Sequence, residues 1–421
     1  MREMKDSGIE WIGEIPKDWK VKRCKNISNF INGYAFDSKD FQNDFLYSVI
    51  RIGDIKEGYI DNINCLGVSN NKGLDRYLIK ENDILLAMSG ATVGKVGIAH
   101  GIKDAYINQR VGIIRTTSPR FLFYCLSTRE FIEYILLRAD GSAQPNVSGD
   151  VYGEFYIPYP RLEEQNNISD FLDTKCSEID ATAEDIQKEI SLLEDYKKSV
   201  ITEAVTKGLN PDAEMKDSEI EWIGEIPKHW KIIKGKYVLE YLQKPVKDDD
   251  GVITCFRDGE VTLRSNRRED GFTLSDKEIG YQGIDVGDLV VHGMDGFAGA
   301  IGISDSRGKA SPVLNVLNSK YNKRYLMYYL RSMAFSNIFV ALASGIRVRS
   351  CDLRWNKLAE LPYPTTNYVE QTEIVNYIDT KCSEIDTLIA DKKRQLDVLA
   401  DYKKSLIYEY VTGKKEVPVN E

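Results

Sequence analysis

Histidine is scarce: His100, His229 and His292 are the only three in 421 residues, so chemistry that depends on imidazole bases has little material. The seven cysteines stand singly, at Cys24, Cys65, Cys125, Cys176, Cys255, Cys351 and Cys382. None falls in a CxxC pair or at a Cys/His ligand spacing. No metal site is therefore expected, and an odd, scattered set points to reduced thiols and a cytoplasmic location. No apolar run approaches the roughly 20 residues of a membrane span, so no membrane association is expected. The opening "MREMKDSGIEWIGEIPKDW" also lacks the apolar core of a secretory leader.

Catalytic motifs are missing too. "SGATVGKV" (Ser89–Val96) has serine where a phosphate loop needs its first glycine and Val96 where it needs a hydroxyl. "GFAGAIG" (Gly296–Gly302) is glycine-rich without a βαβ context, and strand turns explain it better. The acids and lysine of "PDAEMK" (Pro211–Lys216) are too close together for separate strands to present a metal. "IPYP" and "LPYP" lack the amide or carboxylate with which an amino-methyltransferase loop holds its target amine. No nucleophile elbow occurs. No catalytic residue is assigned.

What is present is a duplication. "MKDSGIEWIGEIPKDWK" (Met4–Lys20) returns as "MKDSEIEWIGEIPKHWK" (Met215–Lys231), with two differences in seventeen positions and an offset of 211. "IPYP" (Ile157–Pro160) is matched to "LPYP" (Leu361–Pro364) at 204. "LDTKCSEID" (Leu172–Asp180) matches "IDTKCSEID" (Ile378–Asp386), and "DYKKSVI" (Asp195–Ile201) matches "DYKKSLI" (Asp401–Ile407), both at 206. Each half is thus a short segment, a divergent stretch, and a nearly constant stretch. A period near 205 is far too long for a solenoid and means a duplicated domain plus helix.

The constant stretches read as long helices. Glu164–Lys207 contains no proline or glycine, and Gly208 follows as a C-terminal stop. Ile179, Ile186, Leu193 and Val200 recur every seven residues, with Ile190 in the other seam position. The second copy supplies Ile385, Leu399 and Leu406 with Ile389 and Leu396. This is a heptad pattern. Lys197 and Lys403 interrupt both seams at equivalent positions, and a snorkelling side chain is the simpler expectation there. A single apolar stripe needs a partner, and the other copy can supply it by antiparallel pairing, with the variable domains at opposite ends of the rod. The repeated tryptophan segment is expected to anchor by packing, its N-terminal copy meeting the end of the second helix near Asp401–Gly413.

The divergent stretches look mixed: strand-like with glycine turns at Tyr47–Ile60 and Asn82–Ala99, then helical at Arg120–Ala139. Gly94/Gly299 and Gly97/Gly302 correspond at offset 205, so both stretches are expected to share one fold.

A net charge of −9 taken whole argues against nucleic acid. Its distribution does not. Val21–Ile157 holds 16 basic and 15 acidic residues, Ile232–Leu361 holds 19 and 16, and the excess acid lies outside both. Arginine and amide side chains, which read guanine and adenine edges, cluster in three places. These are Arg264, Arg267 and Arg268 in "LRSNRR"; Arg347, Arg349 and Arg354 in "GIRVRSCDLR"; and Ser142, Gln144 and Asn146 in "GSAQPNVSG". A solvated surface charge is the commoner role for any one of them.

The duplicated "WIGEIPxxW" segments, the Glu164-Gln165 and Glu370-Gln371 pairs, and the "SEID…DYKKS" helices resemble the specificity subunit of type I restriction-modification enzymes. The resemblance extends over essentially the whole chain. "SGATVGK" and "GSAQPN" are similar to the strand-turn and loop of target-recognition domains in that family, which adds Ser89, Thr92, Lys95 and Arg110 to the DNA-contact candidates. The resemblance implies an α+β fold. Two globular target-recognition domains are separated by two long helices in an intramolecular antiparallel coiled coil, as a pseudo-two-fold tandem repeat. The expected divisions are 1–160 (first recognition domain), 161–208 (first helix), 209–364 (linker, repeated segment and second recognition domain) and 365–421 (second helix). It further implies double-stranded DNA, two modification subunits and restriction subunits as partners. S-adenosylmethionine, ATP and magnesium belong on those partners, and no cofactor on this chain. Two other readings stand beside it: a coiled-coil adaptor with two protein-binding heads, and a cryptic methyltransferase.

Overall fold

The computed structural model describes residues 2–418 apart from 44, 57, 70–72, 140–145, 268–278 and 343–352. The fold is α+β and divides into two compact units: Met1–Ile186 with Arg394–Glu421, and Gln187–Lys393. The two long helices, Leu162–Lys207 and Tyr368–Val411, each give one half to either unit, so the divisions fall within the helices. Gly208 takes the left-handed conformation (φ +73°) that ends the first helix, as its place in the sequence predicts.

In the first unit the segment Met4–Asp6/Glu14–Pro16 is a β-hairpin, and Lys20–Arg23 pairs antiparallel with Tyr156–Tyr159. The head that follows has a four-stranded antiparallel sheet, in the order Ser28–Asn32, Val111–Thr116, Ile84–Ala87, Val96–Ile98. A three-stranded sheet holds Gly67–Val68, Tyr47–Ile50 and Ala105–Ile107, the last two parallel. The stretch read as one helix at Arg120–Ala139 is two, Pro119–Leu126 and Arg129–Arg138. The break comes at Thr128, whose hydroxyl caps the second helix by accepting from Phe131 N.

The second unit repeats the plan. Its hairpin is Met215–Asp217/Glu225–Pro227, Lys231–Lys234 pairs with Pro362–Thr365, and its four-stranded sheet runs Glu240–Leu242, Leu314–Asn318, Leu289–His292, Ile301–Ile303. Two two-stranded pieces, Ile253–Cys255/Val261–Leu263 and Gln282–Ile284/Gly308–Ala310, stand beside that sheet.

Strand register corrects one alignment. Lys20 faces Tyr159, whereas the equivalent Lys231 faces Thr365. Tyr159 therefore matches Thr365, at offset 206, and the "IPYP/LPYP" match at 204 is a coincidence of composition. Side chains agree: Gln165 Nε2 donates to Pro160 O, and Gln371 Nε2 to Thr366 O. The shift puts Tyr363 in the buried place of Ile157, where its hydroxyl has no hydrogen-bond partner among the described residues.

Within each unit the helices run antiparallel. In the first, Phe171 packs on Tyr410 with ring centroids 4.5 Å apart, and Lys403 Nζ donates to Asp180 at 2.6 Å. In the second, Lys392 meets Glu189 at 2.5 Å and Lys197 meets Asp386 at 2.6 Å. Ile186, Ile190, Val200, Ile385, Ile389 and Leu406 are buried; Ile179, Leu193, Leu396 and Leu399 are half-buried. The seam lysines do more than snorkel. Each grips both oxygens of the "SEID" aspartate on the opposite helix, Lys197 on Asp386 and Lys403 on Asp180. That contact favours the matched register over a slipped one.

The tryptophan segments anchor the frame. Trp19 and Trp230 are fully buried, and each indole donates at 2.9 Å to the glutamate of the "EQ" pair, Glu164 and Glu370. In the first unit Ile12, Ile15 and Trp19 share a core with Leu406, Ile407, Tyr410 and Val411. Tyr408 donates to Trp11 O at 3.0 Å and Lys414 to Ile12 O at 2.5 Å, so the N-terminal segment meets the end of the second helix as expected. In the second unit Ile223, Ile226 and Trp230 share a core with Ile201, Ala204 and Val205 from the end of the first helix.

Candidate nucleic-acid interface

The candidate residues of the first head gather because the strand Ile84–Ala87 continues past its sheet. Met88 N donates to Arg110 O on one side, and Val147 N donates to Met88 O on the other. Ser89 then pairs with Asn146, 57 residues away in the chain. The chain turns through Gly90 (φ +73°) and Gly94 (φ +85°), conformations that glycine adopts without a Cβ penalty. Ser89 is buried, Thr92 half-buried, and Lys95, Arg110 and Asn146 exposed. The Thr92 hydroxyl is buried without a partner among the described residues. Neither Lys95 nor Arg110 forms an ion pair among the described residues. Ser142 and Gln144 lie outside the described residues.

The second head builds the same crossing from different side chains. Gly293 N donates to Val313 O and Leu353 N donates to Gly293 O, so Leu353 takes the place of Val147. Gly299 (φ +94°) turns the strand as Gly94 does. Arg354 is exposed beside this turn; its Cγ lies 3.6 Å from where a Gly293 Cβ would stand. Arg268, Arg347 and Arg349 lie outside the described residues.

Charge at this second tip is internally matched. Asp295 occupies the place of Gly90 and pairs with Arg257 at 2.9 Å. His292 Nδ1 accepts from Asp295 N, and burial lowers the imidazole pKa, so the ring is neutral at pH 7. Arg267 stacks on Phe256 and pairs with Asp258 at 2.6 Å and Glu260 at 3.0 Å; its hydrogen bond holds the Asp258 carboxyl below the usual range. Arg264 Nε reaches Thr254 Oγ1 at 3.4 Å. Of the "LRSNRR" cluster, Arg267 is therefore already engaged by acids.

Sequence reasoning missed Arg51, Arg257 and His292. Arg51 and His292 each come at or just past the end of a short apolar strand, and that position was the available signal. Among the described residues no three His, Cys, Asp or Glu side chains gather as a cation site, and no helix is long and apolar enough to cross a membrane.

Residues 16–192 match the model of the type I restriction modification DNA specificity domain. The chain is 27% identical over 228 residues to the type I restriction enzyme MjaVIII specificity subunit of Methanocaldococcus jannaschii, a match covering 54% of this chain and 50% of that protein. It thus spans about half the length of that relative. Against the EcoBI specificity subunit of Escherichia coli, identity is 23% over 418 residues, covering 92% of this chain and 84% of the relative. The fold is similar to a chain solved in a study of complex assembly and conformational transition of the type I R-M system, with TM-score 0.69, 14% identity and coverage of 95% and 99%. It is also similar to the HsdS subunit from Thermoanaerobacter tengcongensis, with TM-score 0.51, 15% identity and coverage of 95% and 98%.

Proposed function

We propose a function on the premise that this chain belongs to the family of type I restriction-modification specificity subunits: it is the DNA-reading, non-catalytic subunit of a modification and restriction assembly. Each head reads one half of a bipartite target in double-stranded DNA. The paired helices set the gap between the halves and dock two modification subunits, and restriction subunits join them. S-adenosylmethionine, ATP and magnesium act on those partners.

One observation carries this reading. The same strand crossing is built twice, at Met88 and Gly293, on hydrogen bonds of one pattern, while the side chains it presents differ completely. Constant scaffolding under divergent polar tips suits two readers of two different half-sites. The acidic excess outside the heads repels DNA, so much of the positive clamp is supplied by partners.

Mapping methylated adenines genome-wide with and without this gene tests the reading. A bipartite motif that vanishes with the gene is the expected result. No lost motif, together with no partner-dependent DNA binding, favours the adaptor reading. The isolated chain should bind DNA weakly and salt-sensitively; full-affinity specific binding by it alone would overturn the division of labour with its partners.

A further inference from the structure

Arg51 is the first residue after strand Tyr47–Ile50, whose parallel neighbour Ala105–Ile107 ends at the same level: Asn108 N donates to Ile50 O at 2.9 Å. From Asn108 the chain passes through exposed Gln109 and Arg110 to the contact with Met88. The next residue on the other side, Ile52, places its Cδ1 3.5 Å from where a Gly90 Cβ would stand. Arg51 therefore belongs to the edge of the first head that holds Ser89, Arg110 and Asn146.

Its guanidinium is set up differently from four other arginines of this unit, though Arg110 and Arg138 also form no ion pair among the described residues. Arg23, Arg115, Arg120 and Arg129 all pair with carboxylates. Arg51 has no ion pair among the described residues. It lies over the Phe41 ring at 4.6 Å, and its Nε is buried with no hydrogen-bond partner among the described residues. A partly desolvated cation with an unmet donor is costly unless a ligand completes it. Stacking on an aromatic ring orients the planar fork, which suits bidentate recognition more than diffuse attraction. In the second head the equivalent contact is closed, because Arg257 pairs with Asp295 where Ile52 meets Gly90.

We propose that Arg51, oriented by Phe41, is a base-reading residue of the first head, with the O6/N7 edge of a guanine as its partner. This rests on the reading of the heads as DNA-recognition domains.

The test uses the full chain assembled with its modification partners, on a DNA pool randomised across both half-sites, at several salt concentrations. Wild type is compared with Arg51→Ala and Arg51→Lys. The expected result is a loss of about tenfold or more in preference for guanine at one position of one half-site in both variants, with the other half-site read as before. Unchanged preference in both variants overturns the proposal. So does recovery by Arg51→Lys with a salt slope reduced by about one in Arg51→Ala, which marks a phosphate contact. Equal losses at both half-sites with a lowered melting temperature mark a structural role and also overturn it. If the wild-type assembly itself shows no half-site preference, the underlying DNA reading fails, whatever the variants do.

Discussion

Trp11 and Trp222 are the same residue of the same repeated segment, yet only Trp11 makes a well-aligned bond to the backbone of its head. Trp11 Nε1 donates to Tyr156 O at 3.1 Å and its ring stacks on Phe155 at 5.1 Å. At the equivalent point in the second unit, Pro362 O accepts instead from the Tyr329 hydroxyl at 2.7 Å, and the buried Trp222 Nε1 makes only a poorly aligned contact with that same hydroxyl. Trp19 and Trp230, by contrast, keep identical bonds to Glu164 and Glu370. The same division appears in the head helices: Tyr124 donates to Asp173 and Tyr328 to Asp379, both at 2.6 Å. The frame is conserved in geometry where segment and head helix meet the long helices. It diverges where the segment meets the interior of a head.

The largest effect should test the shared part. Trp19→Ala and Trp230→Ala each remove a fully buried indole and delete one hydrogen bond to a partly buried glutamate. Each should cost about 3–5 kcal/mol in the unit that holds it. Urea denaturation followed by far-UV circular dichroism should show one transition moved in each variant, by similar amounts. Losses that differ severalfold between the two would break the claim of one frame used twice.

Much of this frame was legible because its signals are local. The seven-residue spacing from Ile179 to Val200, the absence of proline, and Gly208 as a stop fix a helix by period and capping. The repeated segment pointed to a junction, and its packing on Tyr410 and Val411 follows from two helices that must end against something apolar. What was not legible depends on distance or competition. Three shared letters placed "LPYP" two residues out of register, and the facing strand Lys231–Lys234 decides the match. The Ser89–Asn146 pairing joins residues that no periodicity relates. Lys197 and Lys403 looked like seam defects because their aspartate partners lie on the other helix. Arg267 looked free because Asp258 and Glu260 reach it only once the hairpin forms.

The divergent part can be sharpened with a smaller, signed effect. Trp11→Phe deletes a donor and leaves Tyr156 O unmatched, at a cost of about 1–3 kcal/mol. Trp222→Phe deletes a donor whose one contact, with the Tyr329 hydroxyl, is poorly aligned, so the loss of indole packing is offset in part by relief of a poorly met polar group. Its net change should be within about 0.5 kcal/mol or stabilising. Packing loss is common to both, so the difference between the two variants isolates the hydrogen bond. Equal destabilisation in the same denaturation experiment would mean that the Tyr329 hydroxyl serves Trp222 as well as Tyr156 O serves Trp11.

The smallest effect concerns the two lysine clamps, which should be alike. Lys197 and Lys403 are about 30% exposed and their aspartates more so, which puts each pair in the surface class worth roughly 0–1 kcal/mol. Simple removal is a poor probe, because Lys→Met at a seam adds apolar contact that hides the lost charge. Charge exchange is better. Lys403→Asp alone sets a carboxylate against Asp180, and adding Asp180→Lys should restore about half a kcal/mol or more; Lys197→Asp with Asp386→Lys should behave the same way. Both couplings should shrink in high salt. A coupling near zero at both sites would make the seam lysines passengers after all. A coupling at only one would show that the divergence seen at Trp222 extends from the heads into the helices.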